Sequence, residues 1–315
     1  MKPLLSVIIP THLPNSIRFE KTLQGLKKQT LPTDCWELII VDNATPNPQY
    51  ISNFNFSWHP CAKVIQEKHL GLTWARFAGI QASQGEYLVF VDDDNVLEAN
   101  YLKNTIEIFQ QNLHVGAIGG KSLPEFEVEP ASWVFQFFHC LALRDLGDQV
   151  RISSLSEKPQ SLGQYPEFAP IGAGMALRQK AVELYVKRIL SDRTKVVSDR
   201  TGKNLSSGGD NDIILTILSA GWKVGYFPQL QLTHLIPANR LSKDYLVRLN
   251  RDSSRSWIQV LDLHGILSWQ KIPRWTVLPR KIKAFFVYQA LKDPASYIRW
   301  QGACGLFEAL GALSK

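Results

Sequence analysis

The stretch that most constrains the fold is Tyr87 to Asn95, Tyr-Leu-Val-Phe-Val-Asp-Asp-Asp-Asn. Tyr87 to Val91 is an apolar run, rich in aromatic and β-branched residues and free of Gly and Pro. That is the pattern of a strand covered on both faces, as in a parallel sheet. Asp92, Asp93 and Asp94 follow at once. Three adjacent carboxylates at a strand end repel one another unless something cationic offsets them. A divalent cation, Mn2+ or Mg2+, takes oxygen ligands, and Asp-x-Asp places two carboxylates on one side of the chain. The alternative is a solvated acidic turn capping a helix that starts near Leu97, since Asp is a common cap.

The surrounding sequence alternates in the same sense. Leu4 to Ile9 reads as a buried strand stopped by Pro10-Thr11, and Ile17 to Lys28 as a helix. Trp36 to Val41 is a second strand with Asp42-Asn43 at its carboxyl end, and Ala62 to Ile65 a short third. Leu72 to Ser83 and Ala99 to Gln111 read as helices on either side of the acidic strand, and Val115 to Ile118 as another strand. This order predicts an α/β chain with a mostly parallel central sheet and right-handed crossovers. Open sheets of this kind bind ligands beyond the carboxyl ends of their strands. Thr11, Asp42 and Asp92 to Asp94 all fall at such ends. Asp and Asn are also turn formers, so Asp42-Asn43 taken alone is equally a turn.

The second half is less regular. Ala131 to Leu143 is aromatic and helical in pattern, while Glu125 to Pro130, Arg151 to Pro166 and Ser191 to Ser207 read as polar loops. Ile171 to Met175 is a Gly-rich turn leading to a helix from Gln179 to Leu190. Gly208-Gly209-Asp210-Asn211-Asp212 opens a further helix, from Ile213 to Ala220. Lys223 to Phe227 and Leu230 to Thr233 read as two strands, followed by His234.

Composition excludes several classes. The four cysteines, Cys35, Cys61, Cys140 and Cys304, are scattered and form no Cys-x-x-Cys pair. That argues against a zinc cluster or disulfide framework and for a reducing compartment. Met1-Lys2-Pro3 runs straight into the first strand, so no signal peptide is expected, and no apolar run approaches the ~20 residues of a membrane helix. The net charge of +7 is unevenly placed: from Ile236 onward there are 13 Lys and Arg against 5 Asp and Glu, a local excess of +8. A basic tail suits nucleic acid, an anionic membrane surface or an ordinary solvated face. Here Trp257, Trp269, Trp275, Phe285, Phe286 and Tyr288 are interleaved with the charges. Such a pattern fits either a lipid headgroup surface or packing onto the preceding domain.

Taken together, these motifs resemble the inverting, nucleotide-sugar-dependent glycosyltransferases of family 2. Ser6 to Thr11 is similar to that family's first strand and donor-binding turn, and Glu37 to Asn43 to its second. Gly71 to Ile80 resembles the helix carrying a donor-contacting arginine, here Arg76. Gly85 to Asn95 is similar to the strand with the Asp-x-Asp motif, and Ile171 to Arg178 to the acceptor-side Gly-rich segment. Gly209 to Asp212 resembles the motif of the catalytic base, and Pro228 to His234 the last metal-binding segment. The likeness covers residues 4 to 235. Three positions depart from the pattern: His69 and Phe77 stand where Asn is usual, and Gly209-Asp210 stands where Glu-Asp is usual.

The resemblance implies a GT-A (nucleotide-diphospho-sugar transferase) fold over residues 1–235, with a donor-binding half at 1–120 and an acceptor half at 121–235. A basic helical C-terminal extension, 236–315, follows. It implies metal ligation by Asp94, Asp92 and His234, and donor binding by Thr11, Asp42, Arg76, Asp92 and Asp93. Asp210 is the implied general base, with Asp212 open as the alternative. The expected partners are a nucleotide-sugar donor of the uridine type, a glycan or lipid-linked acceptor and an anionic membrane surface, with no nucleic acid. The expected location is the cytoplasm, peripheral to the cytoplasmic membrane face. Two rival readings remain. A nucleotidyltransferase would also place carboxylates and a metal at strand ends, but the chain lacks a Gly-rich, Lys-bearing phosphate loop near its first strand. A non-catalytic basic binding module would leave the strand-end carboxylates idle.

Overall fold

β1 (Leu5–Thr11) is the strand around which the sheet is built. In the computed structural model, which describes residues 2–47, 49–153, 165–192, 196–197, 199–200 and 205–314, it pairs in parallel with two neighbours. These are β2 (Trp36–Asn43) on one side and β4 (Tyr87–Phe90) on the other. β3 (Ala62–Glu67) extends the sheet beyond β2. Past β4 come β8 (Ala176–Arg178), β6 (Val115–Phe126), β9 (Lys223–Ile236) and β5 (Asn95–Leu97), with β7 (Arg151–Ser153) also on β9.

The expected helices are present as α1 (Ser16–Lys27), α2 (Leu72–Ala82) and α3 (Tyr101–Gln111). Residues alternate along β1, so its two faces enter different cores. Leu5, Val7 and Ile9 join Phe19 and Leu23 of α1 and Leu102 and Phe109 of α3. Ile8 joins Ala75 and Ile80 of α2, Tyr185 of α4 (Glu183–Ser191), and Ile213 and Ile217 of α5 (Gly209–Ser219). β1, β2 and β4 are buried on both faces, as their unbroken apolar runs required.

The structure corrects several local expectations. The sheet is mixed, since β8 runs antiparallel to both β4 and β6, and β5 and β7 run antiparallel to β9. Asn95 to Leu97 approaches α3 not as a cap but as a strand, because it pairs with Leu232 to His234. The two strands read between Lys223 and Thr233 are one continuous strand, and His234 lies within it. β6 runs on through Glu125 to Phe126 because Lys121 to Phe126 pair with Gln231 to Ile236. That close approach needs glycine at 120, where a Cβ would overlap the Leu230 carbonyl oxygen. The aromatic segment Ser132–Leu141 is a 3-10 helix. Most of the polar stretches at 154–164 and 193–204 lie outside the described residues.

The chain after β9 forms α6 (Lys243–Leu263), α7 (Val277–Val287) and α8 (Pro294–Ala312). Ser242 and Asp293 cap α6 and α8 by accepting from the Tyr245 and Ser296 amides. Leu246, Leu249 and Ile298 pack with Val134, Phe137 and Leu141 of the 3-10 segment. Glu308 of α8 accepts from Arg251 and Arg255 of α6 and from Lys281 of α7, tying the three helices together. No helix of the described residues is long and apolar enough to cross a membrane.

Candidate functional site

At the carboxyl ends of β1 and β4 lies a cleft of about 430 Å³. Thr11, Arg76, Asp92, Asp93, Asp94, Asp210 and His234 all line it. The strand register brings the most distant of these together. Asn95 of β5 lies opposite His234 of β9, and the Leu235 amide donates to the Asp94 carbonyl. Asp94 Oδ1 and His234 Nε2 are thereby 3.4 Å apart.

Both are buried, and a third group, which the sequence did not reveal, stands between them. Arg240 Nη1 lies 3.0 Å from Asp94 Oδ2 and 3.2 Å from His234 Nε2. A guanidinium only donates, so His234 Nε2 accepts from Arg240 and the ring proton belongs on Nδ1. Nδ1 is buried without a partner. Burial by itself would raise the Asp94 carboxyl, but the Arg240 guanidinium outweighs it and holds it well below the usual carboxylate range. Asp93 behaves in the opposite way. Burial, and then the charge of Asp94, push it up to about 7, although Thr11 Oγ1 donates to its Oδ2 at 2.5 Å.

A carboxylate oxygen and an imidazole nitrogen this close, Asp94 Oδ1 and His234 Nε2, are donors that would together hold a divalent cation such as manganese. Among the described residues no three His, Cys, Asp or Glu side chains converge on a metal position. The remaining ligands would therefore be phosphate oxygens and water, which is usual for a magnesium-type ion. Asp92 is not held toward this pair. Its Oδ1 instead accepts from Arg76 Nη2 at 3.4 Å.

Arg76 is the second organising group. It is buried on α2, and three carboxylates surround it. Asp92 is one; Asp199 Oδ2, 3.8 Å from Nη1, is another; Asp210 is the third. Burial lowers the proton affinity of the guanidinium, but these carboxylates more than offset it. Gly172 of the Gly-rich turn packs so closely on Arg76 that a Cβ there would overlap Nη2. Asp199 was not singled out in the sequence, because it lies in a polar stretch with no periodicity. Burial raises it to about 6, against the pull of Arg76.

Asp210 and Asp212 are separated by their surroundings. Asp210 lines the cleft, and its two oxygens accept from the backbone amides of Gly172 at 3.0 Å and Asn211 at 2.9 Å. Asp212 is fully buried, paired with Arg188 Nη2 at 2.5 Å and His264 Nε2 at 2.8 Å. It joins α4, α5 and the end of α6 and is not part of the cleft wall.

Asp42 stands apart. It is buried beside Thr11 in the β1–β2 register, accepts from the Thr45 amide at 3.3 Å, and lines a separate recess of about 230 Å³ with Gln66 and Lys68. Its neighbour Asn43 reaches the main cleft and orders the loop ahead of α2. It donates to the His69 carbonyl at 2.7 Å and accepts from the Gly71 amide at 2.8 Å. The tail also enters the site: Asn239, Arg240 and Tyr245 are cleft residues. An arginine four residues beyond a strand's end carries no sequence signal for this role.

Comparison with known proteins is consistent with this geometry. The chain is 33% identical over 121 residues to EpsJ, an uncharacterized glycosyltransferase of Bacillus subtilis, covering 38% of this chain and 34% of that one. It is 30% identical over 94 residues to the glycosyltransferase AglE of Haloferax volcanii, covering 29% and 31%. The matched stretch thus spans about a third of each relative's length. Among solved structures, TarS 1-349 of S. aureus in complex with UDP-GlcNAc superposes with a TM-score of 0.53 at 13% identity, over 99% of this chain and 91% of that one. That likeness shows the GT-A fold. The family model for glycosyl transferase family 2 matches residues 6–185, more than half of the chain and every element from β1 through the start of α4. The protein belongs to glycosyl transferase family 2.

Proposed function

We propose that the protein transfers a sugar from a nucleoside-diphosphate donor, a UDP-sugar, to a glycan or lipid-linked acceptor with inversion at the anomeric carbon. The observation that carries this reading is the pairing, in one cleft, of a cationic side with an oriented carboxylate. Arg76 and Arg240 are placed to meet a diphosphate, and Asp210 is held by two backbone amides. The solved TarS complexes with UDP and with UDP-GlcNAc support a uridine donor.

In this mechanism the acceptor hydroxyl attacks the anomeric carbon while Asp210 takes its proton. The bond from that carbon to the diphosphate oxygen breaks, and the nucleoside diphosphate leaves with the electron pair. Arg76 and Arg240 stabilise the charge that develops on it. A divalent cation, held by Asp94 and His234, would neutralise further diphosphate charge. Thr11, through its hydroxyl on Asp93, shapes the ribose end of the site. Asp42, at the adjoining strand end, is the group suited to accept from the uracil N–H.

A panel of UDP-, GDP- and dTDP-sugars with manganese tests the reading by release of free nucleoside diphosphate. UDP-sugars should turn over and Asp210→Asn should not. A protein that neither binds UDP nor hydrolyses any donor is not this enzyme.

A further inference from the structure

We infer that the outer face of α7 docks the protein on an anionic lipid bilayer. Among the described residues, α7 and the turns on either side of it carry the most exposed apolar side chains. Trp275 is 80% exposed, Phe286 71% and Leu291 82%, and Leu278 and Ile282 are exposed between them. Trp275, Leu278, Ile282 and Phe286 recur at helical spacing and form one stripe. The opposite face is spoken for. Ala284 is buried, Phe285 packs edge-on against Trp300 at 5.1 Å, and Lys281 reaches Glu308 of α8. The stripe is thus the side of α7 turned away from α8.

Charge says what covers it. From Gly265 to Lys292 there are six basic residues, Lys271, Arg274, Arg280, Lys281, Lys283 and Lys292, and no Asp or Glu. Among the described residues Arg274, Arg280 and Lys283 form no ion pair. Apolar side chains flanked by unpaired cations match the acyl boundary and headgroups of an anionic leaflet. A second copy of this chain would bring the same positive charge against itself. Ile258, Val260 and Leu261 of α6 do not contribute to this face, since they are buried. The cleft and this face belong to one helical unit, because Tyr245 of α6 lines the cleft and α6 packs on α8.

The test is flotation of the whole chain with vesicles of phosphatidylcholine alone or with 30% phosphatidylglycerol. The wild type should float with the anionic vesicles, less so as salt rises. The triple variant Trp275→Ser, Ile282→Ser, Phe286→Ser should lose at least about tenfold in partitioning while hydrolysing donor like the wild type. Failure to float at low salt overturns the inference, as does equal flotation of the variant. A dimer that the variant dissociates, with no flotation, assigns the face to a second copy instead. None of these outcomes bears on donor turnover, so the transferase reading stands or falls separately.

A second inference rests on the transferase reading and on a different observation. We propose that Asp199 supplies, from the loop before α5, the second carboxylate that Gly209 leaves out of the base motif. A Cβ at residue 209 would lie 2.6 Å from Asp199 Oδ2, so the Asp199 carboxylate occupies the space a side chain there would enter. Asp199 is buried, accepts from the Arg200 amide at 3.0 Å, and faces Arg76 together with Asp210. It is a positioning residue. It holds Arg76 between the donor-side Asp92 and the base.

Asp199→Asn should lower kcat for UDP-sugar hydrolysis by about 10²-fold with UDP affinity within about threefold of wild type. Gly209→Glu alone should be inactive, because it collides with Asp199. The double variant Asp199→Gly, Gly209→Glu should recover at least about tenfold over Asp199→Gly. An unchanged kcat in Asp199→Asn, or no recovery in the double variant, overturns the assignment while wild-type turnover upholds the transferase reading. A wild type without donor turnover overturns both.

Discussion

Arg240 places Nη1 3.2 Å from His234 Nε2, and the same nitrogen lies 3.0 Å from Asp94 Oδ2. Two acceptors face each other 3.4 Å apart, and a cation is what makes that arrangement stable. The guanidinium fills that role, and a metal ion would contend with it for His234 Nε2 and the Asp94 carboxylate.

Removing that contender has a definite sign. Arg240→Met is expected to tighten manganese binding to the nucleotide-free protein by at least about tenfold, because a positive charge beside the ion is gone. It is expected to weaken UDP binding at the same time. Calorimetric titration of each ligand checks both; weaker manganese binding in the variant would mean Arg240 does not compete.

Asp94→Ala is expected to abolish the manganese-dependent part of UDP binding. The fold should persist with some loss of stability, because Arg240 and His234 lose a buried charge partner while both apolar cores are untouched. A mutant whose UDP affinity still responds to manganese as the wild type does would place the ion elsewhere.

The two carboxylates of α5 are expected to separate cleanly. Asp210→Asn keeps the shape and loses proton acceptance, so turnover should fall about 10²-fold or more with an unchanged melting temperature. Asp212→Asn should instead cost on the order of 3 kcal/mol of stability, because Arg188 and His264 lose a buried charge partner. Paired kinetics and urea denaturation of the two variants decide it; the reverse pattern would exchange their roles.

Gly172→Ala is expected to displace Arg76 from Asp92, since the added methyl overlaps Nη2. Donor turnover should drop by about tenfold or more with little loss of stability. Wild-type kinetics in this variant would show that the Arg76–Asp92 contact is dispensable.

The ion cluster under α7 should respond to acid. Burial raises the Glu308 carboxyl, but hydrogen bonds from Arg251, Lys281 and Arg255 outweigh it and bring it down to about 2. A carboxyl depressed on folding stabilises the native state at pH values above its unfolded pKa of about 4.3. That contribution is lost as pH falls from there through about 2. Glu308→Gln should therefore be less stable than wild type at pH 7, with the gap closing across this window. Urea midpoints at pH 7, 4 and 3 test it, and a gap independent of pH would remove Glu308 from the account.

Much of the fold was readable because its central strands are covered on both faces. Tyr87 to Phe90 and Trp36 to Val41 could be little else than buried strands, and the polar residues that stop such runs mark the ligand-binding edge. What failed were stretches whose structure depends on a distant partner. Residues 95 to 97 and 121 to 126 are strands only because they meet the second half of β9. Their own sequences, Asn-Val-Leu and Lys-Ser-Leu-Pro-Glu-Phe, give no clean period-two pattern.

The amino-acid sequence by itself determined the parallel core, the carboxylates at its strand ends and the family motifs on it, since all three depend on near neighbours in the chain. Only the tertiary structure decided which groups act together. Asp210 and Asp212 are two residues apart on a helix and so point about 200° from each other; nothing local says which faces the cleft, and Arg188 and His264 settle it by pairing with Asp212. Arg240 and Asp199 join the site from segments without periodicity, through ion pairs that cross more than 100 residues of chain. Such pairs have no signature in sequence because they depend on distance in space and on the shared loss of water, and both arise only when the sheet has closed.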